Sequence, residues 1–373
     1  MRIGFDAKRA FSNTTGLGNY SRDTIEVLSN YIPHNKYFLY TPVKNQNPRI
    51  TSICKKGNTH IYTPKYLLDR TFKKYWRSKS IVKDLISNKV EIYHGLSNEL
   101  PIGIEKTSIK TVVTIHDLIF MRYPHLFKDI DRKIYHKKFK SACERADKII
   151  AVSKQTKKDI IDYFFISEKK IQVVYQGCNQ IFKNTISKKN KNHTVEKYNL
   201  PKNYLLYVGT IEERKNLLTL LEALTEIPNQ NLVIIGEGKS YKTKCLKFID
   251  QNKLANRVLF LSELSVEEMG IIYQSAEIMI YPSLFEGFGI PILEALFSKT
   301  PVITSKGSCF SETAGPYSRY IDPLLSSNIR EAIFEIQNSN ELKNNMIEKG
   351  LEYAQKFTDD KIAKNLMDIY TNL

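Results

Sequence analysis

The sequence predicts an α/β protein: two doubly wound, Rossmann-like domains facing each other across a cleft. Three observations carry that prediction. Short apolar runs of strand length alternate with amphipathic segments of helix length along most of the chain. The alternation pauses in a polar, Lys/Asn-rich stretch at residues 186–203 and then restarts. Glycine-bearing loops follow several of the runs, at the strand ends where open α/β sheets hold their ligands.

Composition bounds the function. A chain of 373 residues is long enough for two separate cores, and 42% apolar with 25% charged residues is ordinary for a globular protein. No apolar run approaches the ~18–20 residues of a membrane-spanning helix, and the start, MRIGFDAKRAF, lacks a signal-peptide pattern. The five cysteines are scattered, with no CxxC and no nearby histidine pair. That points to reduced thiols, hence a cytoplasmic protein, and argues against a zinc site or a disulfide framework. The formal charge of +17 asks for an anionic partner: nucleic acid, an anionic membrane surface or a phosphorylated ligand. The lysines are spread rather than gathered, so a compositional bias without functional meaning is the competing explanation.

In chain order, Arg2 to Phe5 reads as a strand, Thr15-Gly16-Leu17-Gly18 as a glycine loop and Tyr20 to Leu28 as a helix, the opening of a βαβ unit. Strands are expected at Tyr37 to Tyr40, Ile92 to Tyr93, Thr111 to Ile115, Lys148 to Val152 and Gln172 to Gly177. Residues 1–185 then form an amino-terminal domain and 186–203 a linker. Residues 204–356 form the second domain, with strands at Tyr204 to Val208, Leu232 to Ile235, Val258 to Leu261 and Ile278 to Tyr281. Ser265 and Glu268 make a capping box for the helix that precedes the last of these. Glu341 to Tyr370 is helical, with no strand after it.

Four strand-end loops carry candidate chemistry. Gly16 and Gly18 suit close approach of backbone amides to a phosphate, although a simple tight turn explains them equally and the full dinucleotide fingerprint is missing. The run VVTIHD delivers His116 and Asp117 at a strand's carboxyl end, as base, hydrogen-bonding group or structural cap. In GTIEERKN, from Gly209 to Asn216, Arg214 and Lys215 sit beside a helix start, where the dipole disfavours positive charge. An anion bound there makes sense of them, and the alternative is neutralisation by Glu212 and Glu213. In YPSLFEGFGIPILEAL, Glu286 lies in the loop and Glu294 in the first helical turn, placing a carboxylate on each side of an anion site. The ordinary reading of that pair is a cap and a dipole-favoured glutamate.

Two further features weigh less. Asp129-Ile130-Asp131 is formally a metal-binding D-x-D, but it lies in a charged segment that reads as helix. Between Lys65 and Lys89, Leu68, Phe72, Trp76, Val82 and Ile86 recur at near-helical spacing among lysines. That stretch suits an anionic membrane or nucleic acid, and docking on its own domain is the commoner outcome.

With these motifs together, the chain resembles the retaining glycosyltransferases of family 4, which have the GT-B fold. The resemblance rests on YVGTIEERKNLLTLLEAL and on the run from Val258 to Thr304, whose E-x7-E motif is Glu286 to Glu294. FDAKRAF, TGLGNYSRD, VVTIHDLIFMRYP and IIAVSKQTKKDI resemble the bacterial mannosyltransferases of surface-polysaccharide synthesis. The resemblance implies that Arg214 and Lys215 hold the donor diphosphate, Glu286 the sugar hydroxyls and Glu294 the ribose. Gly209, Leu264, Gly287 and the backbone of Phe288, Gly289 and Ile290 line the donor. His116 faces the sugar, and Gly16 and Gly18 close over the phosphates.

The resemblance further implies no essential metal and no cofactor, with GDP-mannose favoured over UDP-sugars as donor. The acceptor is a growing, lipid-linked glycan, with peripheral contact of the basic amino-terminal domain with the membrane and no nucleic-acid partner. A UDP-sugar-dependent glucosyl-, galactosyl- or N-acetylglucosaminyltransferase is the first alternative, a basic nucleic-acid-binding protein the distant one. Residues 357–373 are expected to cross back to the amino-terminal domain. Ser298-Lys299-Thr300-Pro301 replaces a common Cys-Gly-Thr-Pro, and Ser311-Glu312 a usual Pro-Glu.

Overall fold

A computed structural model describes residues 1–43 and 48–373. The chain divides into two compact units, Met1–Gly177 together with Phe357–Leu373, and Cys178–Lys356. Each is built on one parallel sheet.

Among the described residues the first unit has seven strands: β1 (Arg2–Asp6), β2 (Lys36–Tyr40), β3 (Thr59–Tyr62), β4 (Ile92–Gly95), β5 (Lys110–Ile115), β6 (Lys148–Ala151) and β7 (Ile171–Val173). Their order is β3-β2-β1-β4-β5-β6-β7. The second has six: β8 (Tyr204–Val208), β9 (Asn231–Ile235), β10 (Val258–Leu261), β11 (Ile278–Tyr281), β12 (Val302–Ser305) and β13 (Arg319–Ile321), ordered β10-β9-β8-β11-β12-β13. All pairings are parallel, for example Phe5 with Leu39 and His94, and Leu205 with Leu232 and Ile278. Both sheets therefore reverse direction beside their first strand, between β1 and β4 and between β8 and β11. Loops leaving the carboxyl ends of those strands diverge there and leave room for a ligand.

The strands are near-continuous apolar runs because helices cover both faces of each sheet. The last helix, Asp359–Thr371, packs on the helix Gly16–Tyr31 of the first unit. Its Ile362, Leu366 and Ile369 join a core containing Ile3, Ile25 and Leu28, and each such burial stabilises the unit by about 1.5–3 kcal/mol.

The structure departs from the sequence reading in three places. Residues 186–203 are not an open linker: Ser187 caps the helix Lys188–Lys197, and the units divide at Gly177/Cys178 instead. Thr194 of that helix is buried, and Lys197 Nζ and Tyr198 Oη reach Glu268 Oε1 at 2.6 and 2.9 Å. The polarity of this stretch belongs to the helix's solvent face. The strands β3 and β13 were not expected; both lie at sheet edges, where short half-buried segments lack a continuous apolar run. Gly16 and Gly18 lie inside the first helical turn rather than in a loop before it. The helical carboxyl-terminal stretch breaks at Gln355–Phe357, and Phe357–Leu373 groups with the first unit.

Candidate active site

In the second unit the chemistry gathers at the sheet's switch point. The strand β8 ends at Val208, and a loop from Gly209 leads to a single turn, Glu213–Lys215, before the helix Leu217–Thr225. The strand β11 ends in Tyr281 and leads through Pro282–Gly289 to the helix Ile290–Phe297. These two loops are tied together. Leu284 N donates to Arg214 O at 2.8 Å, and Asn216 Nδ2 donates to Pro282 O and Pro323 O at 3.2 and 2.6 Å. Asn216 adopts a left-handed conformation (φ 56°), which asparagine tolerates better than most residues.

The result is a buried charge cluster. Glu286 Oε1 accepts from Arg214 at 2.7 Å, from Lys215 Nζ at 2.6 Å and from Ser283 Oγ at 2.6 Å. Arg214 also reaches Glu212 at 2.5 Å, so the neutralisation considered from the sequence is present in part. Lys215 Nζ lies 4.8 Å from the centre of the Tyr281 ring and donates to its hydroxyl. Burial alone would raise the Glu286 pKa, but Lys215 and Arg214 outweigh it and hold the carboxyl at about 2. Burial pulls the Lys215 pKa down, and Glu286 opposes that pull.

Glu294 lies in the second turn of its helix, not the first, because the helix begins at Ile290. Its Oε2 accepts a 2.8 Å hydrogen bond from the buried Tyr273 hydroxyl. Tyr273 in turn stands edge-on to Phe182, with ring centres 5.2 Å apart. Gly289 caps the helix with φ 94°, a conformation that favours glycine. The motif loop is held from behind by the segment 308–313. Ser308 Oγ bridges the Glu286 amide and carbonyl at 3.3 and 3.0 Å, and Thr313 Oγ1 donates to Phe288 O at 2.5 Å. Leu264 is half-buried in the loop after β10. Within Ser298-Lys299-Thr300-Pro301, Thr300 donates to Tyr273 O at 2.6 Å, while the buried Ser298 hydroxyl has no partner among the described residues.

In the first unit the corresponding strand ends hold a different kind of site. His116 follows β5, is buried, and hydrogen-bonds through Nε2 to Leu96 O at 2.9 Å. That bond puts the ring proton on Nε2 and leaves Nδ1 as an acceptor. Burial pulls its pKa down to about 4, the Leu96 carbonyl opposes this, and Arg9 adds to it. The imidazole is therefore neutral near pH 7 and acts as a hydrogen-bonding group rather than a strong base. Asp117 caps the helix Ile119–Arg122, its Oδ1 accepting from Ile119 N at 3.1 Å.

Behind His116 runs a buried chain of rings and hydroxyls. The Tyr20 ring stands edge-on to His116 at 4.6 Å, and Tyr20 Oη lies 2.9 Å from Thr114 Oγ1. Thr114 Oγ1 lies 2.8 Å from His94 Nε2, and His94 Nδ1 lies 2.6 Å from Tyr370 Oη in the last helix. Gly18 is explained by packing: a Cβ there would fall 1.9 Å from Asn13 O. Gly16 is not, because a Cβ there meets nothing within 4 Å. Next to these, Arg77 pairs with Asp6 at the end of β1 (2.5 Å) and with Glu99 (2.9 Å).

Comparison with known proteins decides what these sites belong to. Residues 188–353 match the family model of glycosyl transferases group 1, and residues 37–180 match glycosyltransferase family 4. The chain belongs to these glycosyltransferases. It is 30% identical over 226 residues to the O-antigen chain mannosyltransferase RfbU of Salmonella typhimurium, a match spanning 60% of each chain. It is 23% identical over 390 residues, 99% of both chains, to the O-antigen chain mannosyltransferase B of Escherichia coli. Among solved structures, a glycosyltransferase from Rickettsia africae superposes with a TM-score of 0.77 at 19% identity, covering 100% of this chain and 98% of that one. HepE from Anabaena, in complex with UDP and glucose, superposes at 0.79 with 16% identity over the whole of both chains. The fold of this glycosyltransferase is that of GT-B enzymes.

The sequence pattern had pointed to Arg214, Lys215, Glu286 and Glu294, and the structure joins the first three directly. Ser283, Tyr273, Asn216 and Ser308 escaped notice, because a hydroxyl or amide carries no sequence signal until its partner is known.

Proposed function

We propose that this glycosyltransferase moves a hexose, mannose in preference to others, from a nucleotide diphosphate sugar to a growing, lipid-linked glycan of a surface polysaccharide. The observation that carries the reading is the cluster of Arg214, Lys215 and Glu286 at the switch point, next to the start of the Ile290–Phe297 helix. Two cations sharing one carboxylate are poised for exchange. A diphosphate supplies the negative charge that Glu286 now provides and releases Glu286 to accept hydroxyls of the donor sugar. Glu294, oriented by Tyr273, takes the ribose, and the backbone from Gly287 to Ile290 follows the sugar-phosphate. Gly209 and Leu264 border the donor.

Departure of the diphosphate is stabilised by Arg214, Lys215 and the helix start, so the reading needs neither a metal nor a cofactor. Configuration at the anomeric carbon is retained by attack on the face that the diphosphate leaves. The preference for GDP-mannose draws on the relatives named as O-antigen mannosyltransferases. The HepE complex with UDP-glucose favours a UDP-sugar as the second reading. Among the described residues no helix is long and apolar enough to cross a membrane, and we place the enzyme on the membrane's inner face as a peripheral protein.

A thermal-shift screen across GDP-, UDP- and ADP-sugars tests the donor, because a ligand that binds only the folded state raises its stability. Glu294→Ala and Arg214→Ala should each abolish transfer with the fold retained by circular dichroism. Near-native rates in both variants would overturn the assignment of the site.

A further inference from the structure

The segment 65–83 of the first unit displays large apolar side chains to solvent. Leu67, Leu68 and Tyr66 are 80%, 74% and 70% exposed, and Phe72 and Tyr75 more than half. Leu67 and Leu68 lie on the helical piece Leu67–Thr71 and Tyr75 on Lys73–Tyr75, with Tyr66 and Phe72 just before each piece, and the turn Trp76–Ser80 follows. Of the apolar residues expected to dock on their own domain, Trp76 is fully buried and Val82 is half-buried, whereas Leu68, Phe72 and Ile86 face outward.

The segment is nonetheless firmly rooted. Trp76 Nε1 donates to Asp84 Oδ2 at 2.7 Å, and Arg77 is held by Asp6 and Glu99. The exposed side chains are thus presented on a fixed base. They border an apolar groove of about 640 Å³ lined by Tyr66, Leu68, Phe72 and Tyr75, with Lys83 at its edge. Lys65, Lys73, Lys74, Lys79 and Lys83 are exposed around it, and none of them forms an ion pair among the described residues. Two acids also line the groove, Asp69 and Asp84, against five lysines around it, and Asp84 is engaged by Trp76.

We infer that this face docks on a bilayer containing anionic phospholipid, with Leu67, Leu68 and Phe72 entering the boundary between headgroups and acyl chains while the lysines meet lipid phosphates. Contiguous exposed apolar surface ringed by uncompensated cations, with tyrosines at its margin, matches the chemistry of an anionic interface. An apolar protein surface would leave the lysines without partners. The inference names the surface behind the proposed peripheral contact and rests on that reading for its purpose: it brings the enzyme to a lipid-linked acceptor.

The test is flotation of the full chain with vesicles of phosphatidylcholine alone and of phosphatidylcholine mixed equally with phosphatidylglycerol. Binding is expected to the mixed vesicles and to weaken with added salt. Lys73→Ala and Lys74→Ala should each weaken it about fivefold. Leu67→Ser with Phe72→Ser should abolish it, with circular dichroism and donor-induced thermal shift unchanged. Equal binding by all variants, no binding to anionic vesicles, or concentration-dependent self-association through these residues in place of vesicle binding would each overturn the inference. Normal vesicle binding without any sugar-nucleotide shift would instead overturn the functional reading and leave the inference standing.

Discussion

The two sheets share a topology but solve the problem of a polar site in opposite ways. At the switch point of the second unit, ionised groups are buried together: Glu286 with Arg214 and Lys215. At the strand ends of the first, His116 and His94 are buried neutral and satisfied by a carbonyl, hydroxyls and rings. A charged cluster can be opened by a charged ligand, because that ligand replaces the partner it displaces. A neutral hydrogen-bonded chain cannot exchange charge and serves to hold one side chain in place. On the proposed function, the second unit is the half that binds phosphate and the first the half that orients.

The sharpest way to break this contrast is Glu286→Ala. It strands Lys215 and removes one carboxylate partner of Arg214, which keeps Glu212, and leaving buried charge without its partner costs about 3–5 kcal/mol. In phosphate-free buffer, urea denaturation should show that loss, with transfer abolished; wild-type stability would mean the cluster is not a unit. Inorganic pyrophosphate should restore part of the loss.

Acidification separates the units by sign. The folded pKa of His116, about 4, lies below the ~6.5 of an unfolded histidine. Its contribution is therefore complete above pH ~6.5 and lost as pH falls toward 4, by about 3 kcal/mol. His94, held near 3 by burial first and then by His116, acts in the same direction. Glu286, held at about 2, keeps its full contribution until pH falls below the ~4.3 of an unfolded glutamate. Hydrogen exchange followed from pH 7 down to about 4.5 should thus show the first unit loosening before the second. The reverse order would refute the comparison.

Smaller effects come from single hydroxyls. Tyr273→Phe removes a donor to a buried carboxylate and should cost about 1.5–3 kcal/mol, with a raised donor KM. Tyr370→Phe removes only a hydrogen bond to a neutral ring and should cost about 1 kcal/mol with donor KM unchanged. The smallest change expected is Gly16→Ala, which meets no atom and should leave stability within ~0.5 kcal/mol. Gly18→Ala, by contrast, drives a methyl group into Asn13 O. If Gly16→Ala leaves kinetics unchanged as well, the phosphate role of that glycine falls.

Much of the site was legible because charge and helix starts are local features. Arg214 and Lys215 stood out at a position the dipole disfavours, and Gly289-Ile290-Pro291 announced a helix behind a loop with Glu286 in it. The error over Glu294 was a matter of one turn, decided by where the first intrahelical bond forms. The misread stretch at 186–203 has a different cause. Its helix buries Thr194 rather than a run of apolar residues, so composition alone made it look unfolded.

What the sequence determined by itself is the alternation of strand and helix, hence two parallel sheets, and the placement of polar loops at strand ends. These follow from periodicities read within a dozen residues. Only the tertiary structure decided that Glu286 neutralises two cations some seventy residues earlier, that Tyr273 orients Glu294, and that Tyr370 in the last helix reaches His94. It also decided that Leu67, Leu68 and Phe72 stay in solvent while Trp76 is buried. Such pairings depend on strand order and helix docking, which bring together residues that no local pattern relates.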